Sequence, residues 1–347
     1  MTTLGSTVRR SISRTLALCL PFLGCATTGP AGSSSSPVEP AFQDPPPRAG
    51  SPALLIAMPN SPDFLDVRRS LVAEVRKNFN VSTLLVTRET SVAEVSVAIE
   101  RFRPVCAVLM NNNTLGLFQA YETAHPDKPA LPTIVVMASF LEDIRAKLRR
   151  ATGISYEVPG VTAFINLREI LETPIRRVGV VFRPPYKRFI ERQQNLAARE
   201  RIALVGREVP VDFSAADLRQ ALRALIREEK VDALWMLNDN LLVRDVHFLD
   251  ETWRAELRVA PLPLVVGVSN LVDPASPLGT LAVVPDHEAL GLQAGNLVFD
   301  LADGGWQAER HPVDSPLSVK TIVDLKQARN HFRLRPDAIN RIDKALE

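Results

Sequence analysis

The sequence predicts an α/β protein with two doubly wound parallel-sheet lobes, and three observations lead to that prediction. Short continuous apolar runs recur along the chain, amphipathic segments separate them, and the runs are too numerous for one comfortable sheet. Continuous apolar runs of this length are typical of strands that are covered on both faces. The nine runs are 54–58, 83–86, 105–110, 133–137, 178–182, 202–205, 233–237, 264–268 and 280–284.

The segments between these runs carry apolar residues at helical spacing. Strands that alternate with such helices form right-handed βαβ units and therefore parallel sheets. Asp286 and Ser214 are predicted N-caps, with Asp217 at the third position of the helix that Ser214 begins. The helical repeats are Phe64, Val67, Leu71, Val75 and Phe79; Val92, Val95, Ile99 and Phe102; Leu218, Leu222, Leu225 and Ile226; and Leu290, Ala294, Val298 and Leu301.

Composition and charge exclude several classes of function. Of the 347 residues, 46% are hydrophobic and 23% charged, which is ordinary for a soluble globular protein. The formal net charge is +2, and removal of a leader containing Arg9, Arg10 and Arg14 leaves one net negative charge. A near-neutral chain without a basic block indicates neither a nucleic-acid partner nor a polybasic membrane surface. No apolar run approaches the roughly 18 to 20 residues that a membrane-spanning helix needs.

The N-terminal residues have the pattern of an export signal. Residues 1–25 combine three arginines with a short apolar stretch at 16–23, and they end in Leu23, Gly24 and Cys25. This end resembles the lipobox of bacterial lipoproteins, which predicts lipidation at Cys25 and an extracytoplasmic, lipid-anchored protein. The alternative is an ordinary secreted protein that is cleaved nearby. Residues 26–52 are rich in serine and proline and are expected to form a disordered tether.

Chemistry-bearing motifs are sparse. Neither a Gly-x-Gly-x-x-Gly sequence nor a P-loop occurs, and the five histidines show no pair at metal-ligand spacing. With Cys19 and Cys25 in the leader, Cys106 has no disulfide partner and is expected to be a small buried hydrophobe. We therefore expect no catalytic residue, no cofactor and no metal, and the chain is not expected to be an enzyme.

The second half of the chain resembles the ABC-transporter substrate-binding family with the type I periplasmic-binding fold. The resemblance rests on the order and spacing of several stretches, and it is firm from about residue 150 onward. The stretches are Thr152-Gly153-Ile154-Ser155, Pro174-Ile175-Arg176-Arg177-Val178-Gly179, Val231-Asp232-Ala233-Leu234-Trp235, Asn238-Asp239-Asn240, Gly279-Thr280-Leu281-Ala282, Pro285-Asp286 and Leu290-Gly291-Leu292-Gln293-Ala294-Gly295. In the first half, Leu141 and Glu142 follow the fourth run where the family has an Asp-Pro pair.

The resemblance implies two lobes that are joined by a hinge of three crossovers, with a ligand between them. We place the crossovers near 152–157, 281–285 and 311–315. Lobe one would comprise 53–151 and 285–311, and lobe two would comprise 152–284 and 312–330. A C-terminal helix is expected over 331–347.

Candidate binding residues follow from the rule that ligands bind outside the carboxyl ends of parallel strands. In lobe one, hydroxyls and amides near helix starts suit an anionic group. In lobe two, an acid suits a ligand ammonium. The alternative for each residue is an ordinary turn former or helix cap. The candidates are Asn60, Ser61, Asn112, Asn113, Thr114 and Ser139 in lobe one, and Asn238, Asp239, Asn240, Ser269 and Asn270 in lobe two.

Aromatic side chains are candidates for a stacking wall of the same site. Trp235, Tyr186, Phe64 and Phe140 are the candidates, with core or rim packing as the commoner use of such residues. Arg183 is expected to be a solvated loop residue rather than an anion-binding group.

The sequence thus predicts a monomeric extracytoplasmic receptor that binds a small polar solute, such as an amino acid, and delivers it to an ABC permease. The membrane would be contacted through the lipid anchor only. The alternative is a lipoprotein of the same fold that regulates an envelope partner and carries no transported solute. A soluble transcription regulator also has this fold, but here a leader and tether stand where a DNA-binding helix-turn-helix is needed.

Overall fold

The computed structural model describes residues 42–274 and 278–347. The expected leader and Cys25 lie outside the described residues, as does most of the expected tether. From Asp44 onward the described chain forms one compact unit.

Two β-sheets organise this unit. The first has the order β2-β1-β3-β4-β5-β11, and the second has the order β7-β6-β8-β9-β10-β12-β13. All strand pairs are parallel except β10 with β12, which is antiparallel. The strands are β1 Ala53–Met58, β2 Asn80–Leu85, β3 Cys106–Met110, β4 Thr133–Ala138, β5 Ala151–Ser155, β6 Arg177–Phe182, β7 Ala203–Glu208, β8 Ala233–Trp235, β9 Leu264–Val266, β10 Leu281–Pro285, β11 Val313–Asp314, β12 Val319–Asp324 and β13 Lys344–Leu346.

Helices connect most of these strands and cover the sheets. They are α1 Pro62–Val75, α2 Val92–Phe102, α3 Asn112–Ala124, α4 Leu141–Ile144, α5 Gly160–Ile170, α6 Lys187–Arg199, α7 Ala215–Arg223, α8 Val246–Leu249, α9 Ala255–Val259, α10 His287–Asp303 and α11 Leu325–His331. Among the described helices, none is long and apolar enough to cross a membrane. The predicted α/β class with two doubly wound sheets is confirmed.

Local sequence explains where two of these helices begin. The Asp286 carboxylate accepts the N–H of Glu288 at 3.1 Å, so Asp286 is the N-cap of α10. Ser214 and Asp217 form a reciprocal capping box at the start of α7, with the N–H of Asp217 donated to the Ser214 hydroxyl at 3.3 Å. Both predicted N-caps are confirmed.

The hydrophobic cores lie on both faces of the first sheet and around the second. Helix α10 follows the tenth strand of the chain, which is in the second sheet, yet it packs against α1 and the first sheet. The chain therefore passes between the sheets three times, at 156–159, at 286 and at 315–318. This topology brings the carboxyl ends of the parallel strands in the two sheets toward a shared cleft.

The structure corrects the expected lobe boundaries. Strand β5 pairs with β4, so lobe one extends to Ser155 rather than ending at residue 151. Strand β11 pairs with β5 and also belongs to the first sheet, not to lobe two as expected. Gly153 permits the close β4–β5 approach, because a Cβ there would collide with the Val135 carbonyl.

The predicted C-terminal helix over 331–347 is wrong. Helix α11 ends at His331, and Pro336 disfavours helical continuation. A 3₁₀ turn at Ala338–Arg341 and strand β13 follow. The N–H of Thr321 donates to the Asp343 carboxylate at 2.7 Å, which holds β13 beside β12.

The last part of the expected tether, residues 44–52, is ordered. The Asp44 carboxylate accepts bonds from the Arg68 guanidinium at 2.6 Å and from the N–H of Thr83 at 2.8 Å. The Asn80 side chain also bonds the backbone of Arg48. Residues from Asp44 onward are therefore fixed against α1 and β2.

Candidate functional site

A cavity of about 350 Å³ lies between the carboxyl ends of two adjacent strands in each sheet. Strands β3 and β4 contribute from the first sheet, and β6 and β8 contribute from the second. Amides and aromatic rings dominate its wall, which suits a small polar ligand. The lining residues are Asn111, Asn112, Asn113, Met137, Ser139, Phe140, Arg183, Tyr186, Asn238, Asp239, Asn240 and Leu241.

Paired hydrogen bonds fix the lobe-one wall. The Asn112 amide oxygen accepts the N–H of Ser139 at 2.7 Å, and its amide nitrogen donates to the Ser139 carbonyl at 3.1 Å. Asn111 caps α3 by accepting the N–H of Thr114 at 2.9 Å. The residues that follow β3 thus begin α3, and the Asn112–Ser139 bonds connect the ends of β3 and β4.

Backbone strain is concentrated in the same wall. Asn111, Met137 and Phe140 have φ values of 80°, 55° and 57°, a region that L-residues adopt at an energetic cost. The Met137 conformation coincides with a register irregularity between β4 and β5. All three residues line the cavity. Strain of this kind persists where the surrounding structure enforces it, which is common at ligand sites.

A buried ion pair forms the lobe-two wall. Arg183 donates from Nε and Nη2 to the two Asp239 carboxylate oxygens at 2.6 and 2.7 Å. Arg183 is 9% exposed and Asp239 only 1%, so the expectation of a solvated Arg183 is wrong. The hydrogen bond to Asp239 raises the pKa of the Arg183 guanidinium. Because both Asp239 oxygens are engaged, its predicted contact with a ligand ammonium remains a prediction.

Two aromatic rings meet across the cleft. Phe140 from lobe one stacks on Tyr186 from lobe two, with ring centroids 4.0 Å apart. The Arg183 guanidinium carbon lies 5.3 Å from the Tyr186 ring centre, and burial raises the pKa of the Tyr186 phenol. Of the four candidate aromatic residues, Phe140 and Tyr186 line this cavity and Trp235 lines a smaller neighbouring hole. Phe64 packs against the first sheet.

A buried acid lies in the first crossover. Glu157 Oε2 accepts the N–H of Phe140 at 2.8 Å and the Ser155 hydroxyl at 3.1 Å. Burial of the carboxyl raises its pKa to about 7, although hydrogen bonds from Phe140 and Ser155 oppose that shift.

Six predicted candidates come together in the 350 Å³ cavity: Asn112, Asn113, Ser139, Asn238, Asp239 and Asn240. Thr114 instead lies inside α3 with no exposed surface, and its hydroxyl has no hydrogen-bond partner. Asn60 and Ser61 lie at the start of α1, and Ser269 and Asn270 begin a 3₁₀ turn. These last four residues are outside the described lining of the cavity.

Sequence reasoning missed Asn111, Met137, Leu241 and Glu157, and it underrated Arg183. The strand-end rule applies to Asn111 and Arg183, since each directly follows a strand. The burial of Arg183 depends on Asp239, a partner that lies 56 positions away in the sequence. No local pattern marks Glu157.

No group of histidine, cysteine, aspartate or glutamate suitable for a metal occurs among residues 42–274 and 278–347. The chain matches no family model and no curated protein. Solved structures do match. The ligand-free, open structure of a substrate-binding protein with adhesive properties from Clostridium difficile gives a TM-score of 0.62 at 13% identity, covering 85% of this chain and 99% of that one.

Two further matches have similar coverage. A conserved domain protein from Vibrio cholerae gives a TM-score of 0.56 at 16% identity, over 85% of this chain and 100% of that one. An ABC domain in complex with L-Trp from Streptococcus pneumoniae gives a TM-score of 0.52 at 15% identity, covering 84% of this chain and 100% of that one. These likenesses establish the fold: the chain has the type I periplasmic-binding-protein architecture of solute-binding proteins.

Proposed function

We propose that this protein is an extracytoplasmic receptor for a small polar solute, which it binds in the 350 Å³ cavity between its two lobes. One observation carries the proposal: polar groups from adjacent strand ends of both sheets line a single cavity whose backbone is strained. The fold places ligands at this edge of parallel sheets. Binding, and not catalysis, is the proposed role.

The mechanism follows from the two-lobed architecture. A ligand that contacts both walls stabilises the conformation in which the lobes are closest, so binding shifts the population toward closure. The three crossovers are the hinge. Delivery to an ABC permease and lipid anchorage through Cys25 are parts of the proposal that rest on the sequence pattern and on the solute-binding character of the structural neighbours.

An amino acid is the proposed type of solute. The Streptococcus pneumoniae neighbour is bound to L-Trp. The cavity of this chain has the amides and stacked rings that an amino acid with an apolar side chain would contact.

The test is a thermal-unfolding screen against amino acids, nucleosides, sugars and organic acids. A ligand at about 100 times its Kd stabilises the folded state by roughly 2.7 kcal/mol, which raises Tm by several degrees. Asn112→Ala in lobe one and Asn240→Ala in lobe two should each weaken binding. Asn270→Ala is the matched control, because Asn270 is an exposed asparagine outside the cavity.

A clear melt that no solute shifts would contradict the receptor function and favour the envelope-regulator alternative. Equal weakening by Asn270→Ala would show that binding occurs elsewhere.

A further inference from the structure

The Glu157 carboxyl lies in the first crossover between the lobes with one oxygen unsatisfied. Oε2 accepts two hydrogen bonds, from the N–H of Phe140 and the Ser155 hydroxyl. Although the residue as a whole is partly exposed, Oε1 is buried and has no hydrogen-bond partner. A buried carboxylate oxygen without a partner carries a desolvation cost, which either a proton or a cationic partner would relieve.

A hole of about 20 Å³ lies beside this carboxyl. That volume holds one water-sized group, and a primary ammonium is of the same size. Glu157 and Asn238 are the polar residues of the hole's lining, Phe140, Tyr156 and Trp235 are the aromatic ones, and the other eight are apolar residues or glycine. A cation in the hole would be attracted by the carboxylate and by any ring face that is turned toward it.

The hole adjoins the 350 Å³ cavity. Phe140 and Asn238 line both spaces. For a solute in the larger cavity to reach Glu157, one of its terminal groups has to enter between these two side chains.

Glu157 differs from the other acids near the cleft in its ion pairing. Arg183 and Asp239 neutralise each other, and Glu142 pairs with Arg192 at 3.1 Å beside a cavity of about 120 Å³ that Glu157 also lines. Among the described residues, Glu157 forms no ion pair with a basic side chain. The Glu157 carboxyl is therefore an acid of the cleft that has no salt-bridge partner among the described residues.

We propose that the solute carries a primary ammonium group, and that Glu157 Oε1 accepts a charge-assisted hydrogen bond from it inside the 20 Å³ hole. The inference rests on the proposed function and deepens it, because it names an amine as the required chemical feature of the ligand. It also assigns the ammonium to Glu157 instead of Asp239, whose oxygens are engaged by Arg183.

The proposal has a pH signature. The titratable and charged groups near the Glu157 carboxyl are Tyr156, Tyr186 and the Arg192–Glu142 pair. Burial raises the pKa of Glu157 to about 7 in the empty site, and a bound ammonium lowers it. The affinity for an amine should therefore rise up to about tenfold per pH unit below pH 7 and level off above it.

The experiment measures binding of matched solute pairs in which a hydroxyl replaces the ammonium. The probes are L-alanine with L-lactate, L-tryptophan with indole-3-lactate, and putrescine with 1,4-butanediol, measured by thermal shift and calorimetry at pH 5.5, 7 and 8.5. We expect at least one amine to bind while its hydroxyl counterpart binds at least ~30-fold more weakly, because the charge-assisted bond is lost.

Glu157→Gln keeps the shape of the side chain and removes its charge. The variant should weaken amine binding by a similar factor at pH 8.5 and abolish the pH dependence. Glu100→Gln is the control and should leave the affinity within about threefold, since that carboxylate is 64% exposed on α2 and lies outside the 20, 120 and 350 Å³ cavities.

The results separate the two proposals. Binding of a hydroxyl member as tightly as its amine, or a pH-independent amine affinity in the unaltered protein, would overturn the ammonium assignment and leave solute binding intact. If Glu157→Gln fails to fold, the pH dependence of amine affinity in the unaltered protein still tests the ammonium assignment. If no amine and no hydroxyl member binds while sugars or nucleosides shift Tm, only the ammonium assignment fails. If nothing binds, the receptor function fails with it.

Discussion

Removing the Asp239 carboxylate should leave the Arg183 guanidinium buried without a counter-ion. The two side chains are 11% and 1% exposed and are joined by two hydrogen bonds of 2.6 and 2.7 Å. Loss of one partner from such a pair costs about 3–5 kcal/mol, because the remaining charge is desolvated and unpaired. For Asp239→Ala we expect a fall in Tm on the order of 5–10 °C.

The assay is urea and thermal unfolding followed by circular dichroism. Asp66→Ala is the matched control, because Asp66 pairs with Arg69 at 2.9 Å with side chains 41% and 70% exposed. An exposed pair of this kind contributes about 0–1 kcal/mol. The combined change Arg183→Met with Asp239→Leu should recover most of the stability, since an apolar pair needs no counter-ion. A cost for Asp239→Ala no larger than that of the control would refute the reasoning.

Three further predictions concern the hinge and the core of lobe one. The pKa of Glu157, about 7, exceeds its unfolded value of 4.5, so the folded state keeps a proton that the unfolded state loses between these values. The free energy of unfolding should therefore fall by about 3 kcal/mol between pH 4.5 and 7, and Glu157→Gln should flatten this slope in urea titrations; an unchanged slope would contradict the assignment. Gly153→Ala should lower Tm strongly, because its Cβ would meet the rigid Val135 carbonyl, and a change below 1 °C by calorimetry would disprove the close contact. Cys106 is buried and its pKa is raised to about 12, so iodoacetamide should label it only after unfolding, and mass spectrometry of the native protein would reveal any earlier labelling.

Most of the fold was predictable because parallel strands covered on both faces leave continuous apolar runs. The run at 105–110 became β3 Cys106–Met110, which is completely buried. Strand β5 was harder to assign, because Thr152, Gly153 and Ser155 interrupt its apolar pattern. The C-terminal strand could not be inferred locally, since Lys344–Leu346 is held by pairing with β12 and not by its own composition.

The candidate site was predictable where polar residues directly follow the carboxyl end of a parallel strand. This rule found Asn112, Ser139 and Asn238. It failed for Thr114, whose position on the buried side of α3 depends on helix packing. The rule did not identify Glu157. This residue lies in a crossover between the sheets, and its position depends on the hydrogen bond from Phe140, which is distant in the sequence.

The most direct test of the account is the distance between the two lobes with and without a bound solute. Spin labels at Val97→Cys in α2 and Val211→Cys in lobe two occupy exposed positions, and buried Cys106 should not be labelled. The labelled protein would comprise residues 44–347, which form one compact unit. A solute that raises Tm should narrow and shift the measured distance distribution, because both walls of the cavity bind it. An identical distribution with the solute bound would contradict a two-lobed clamp.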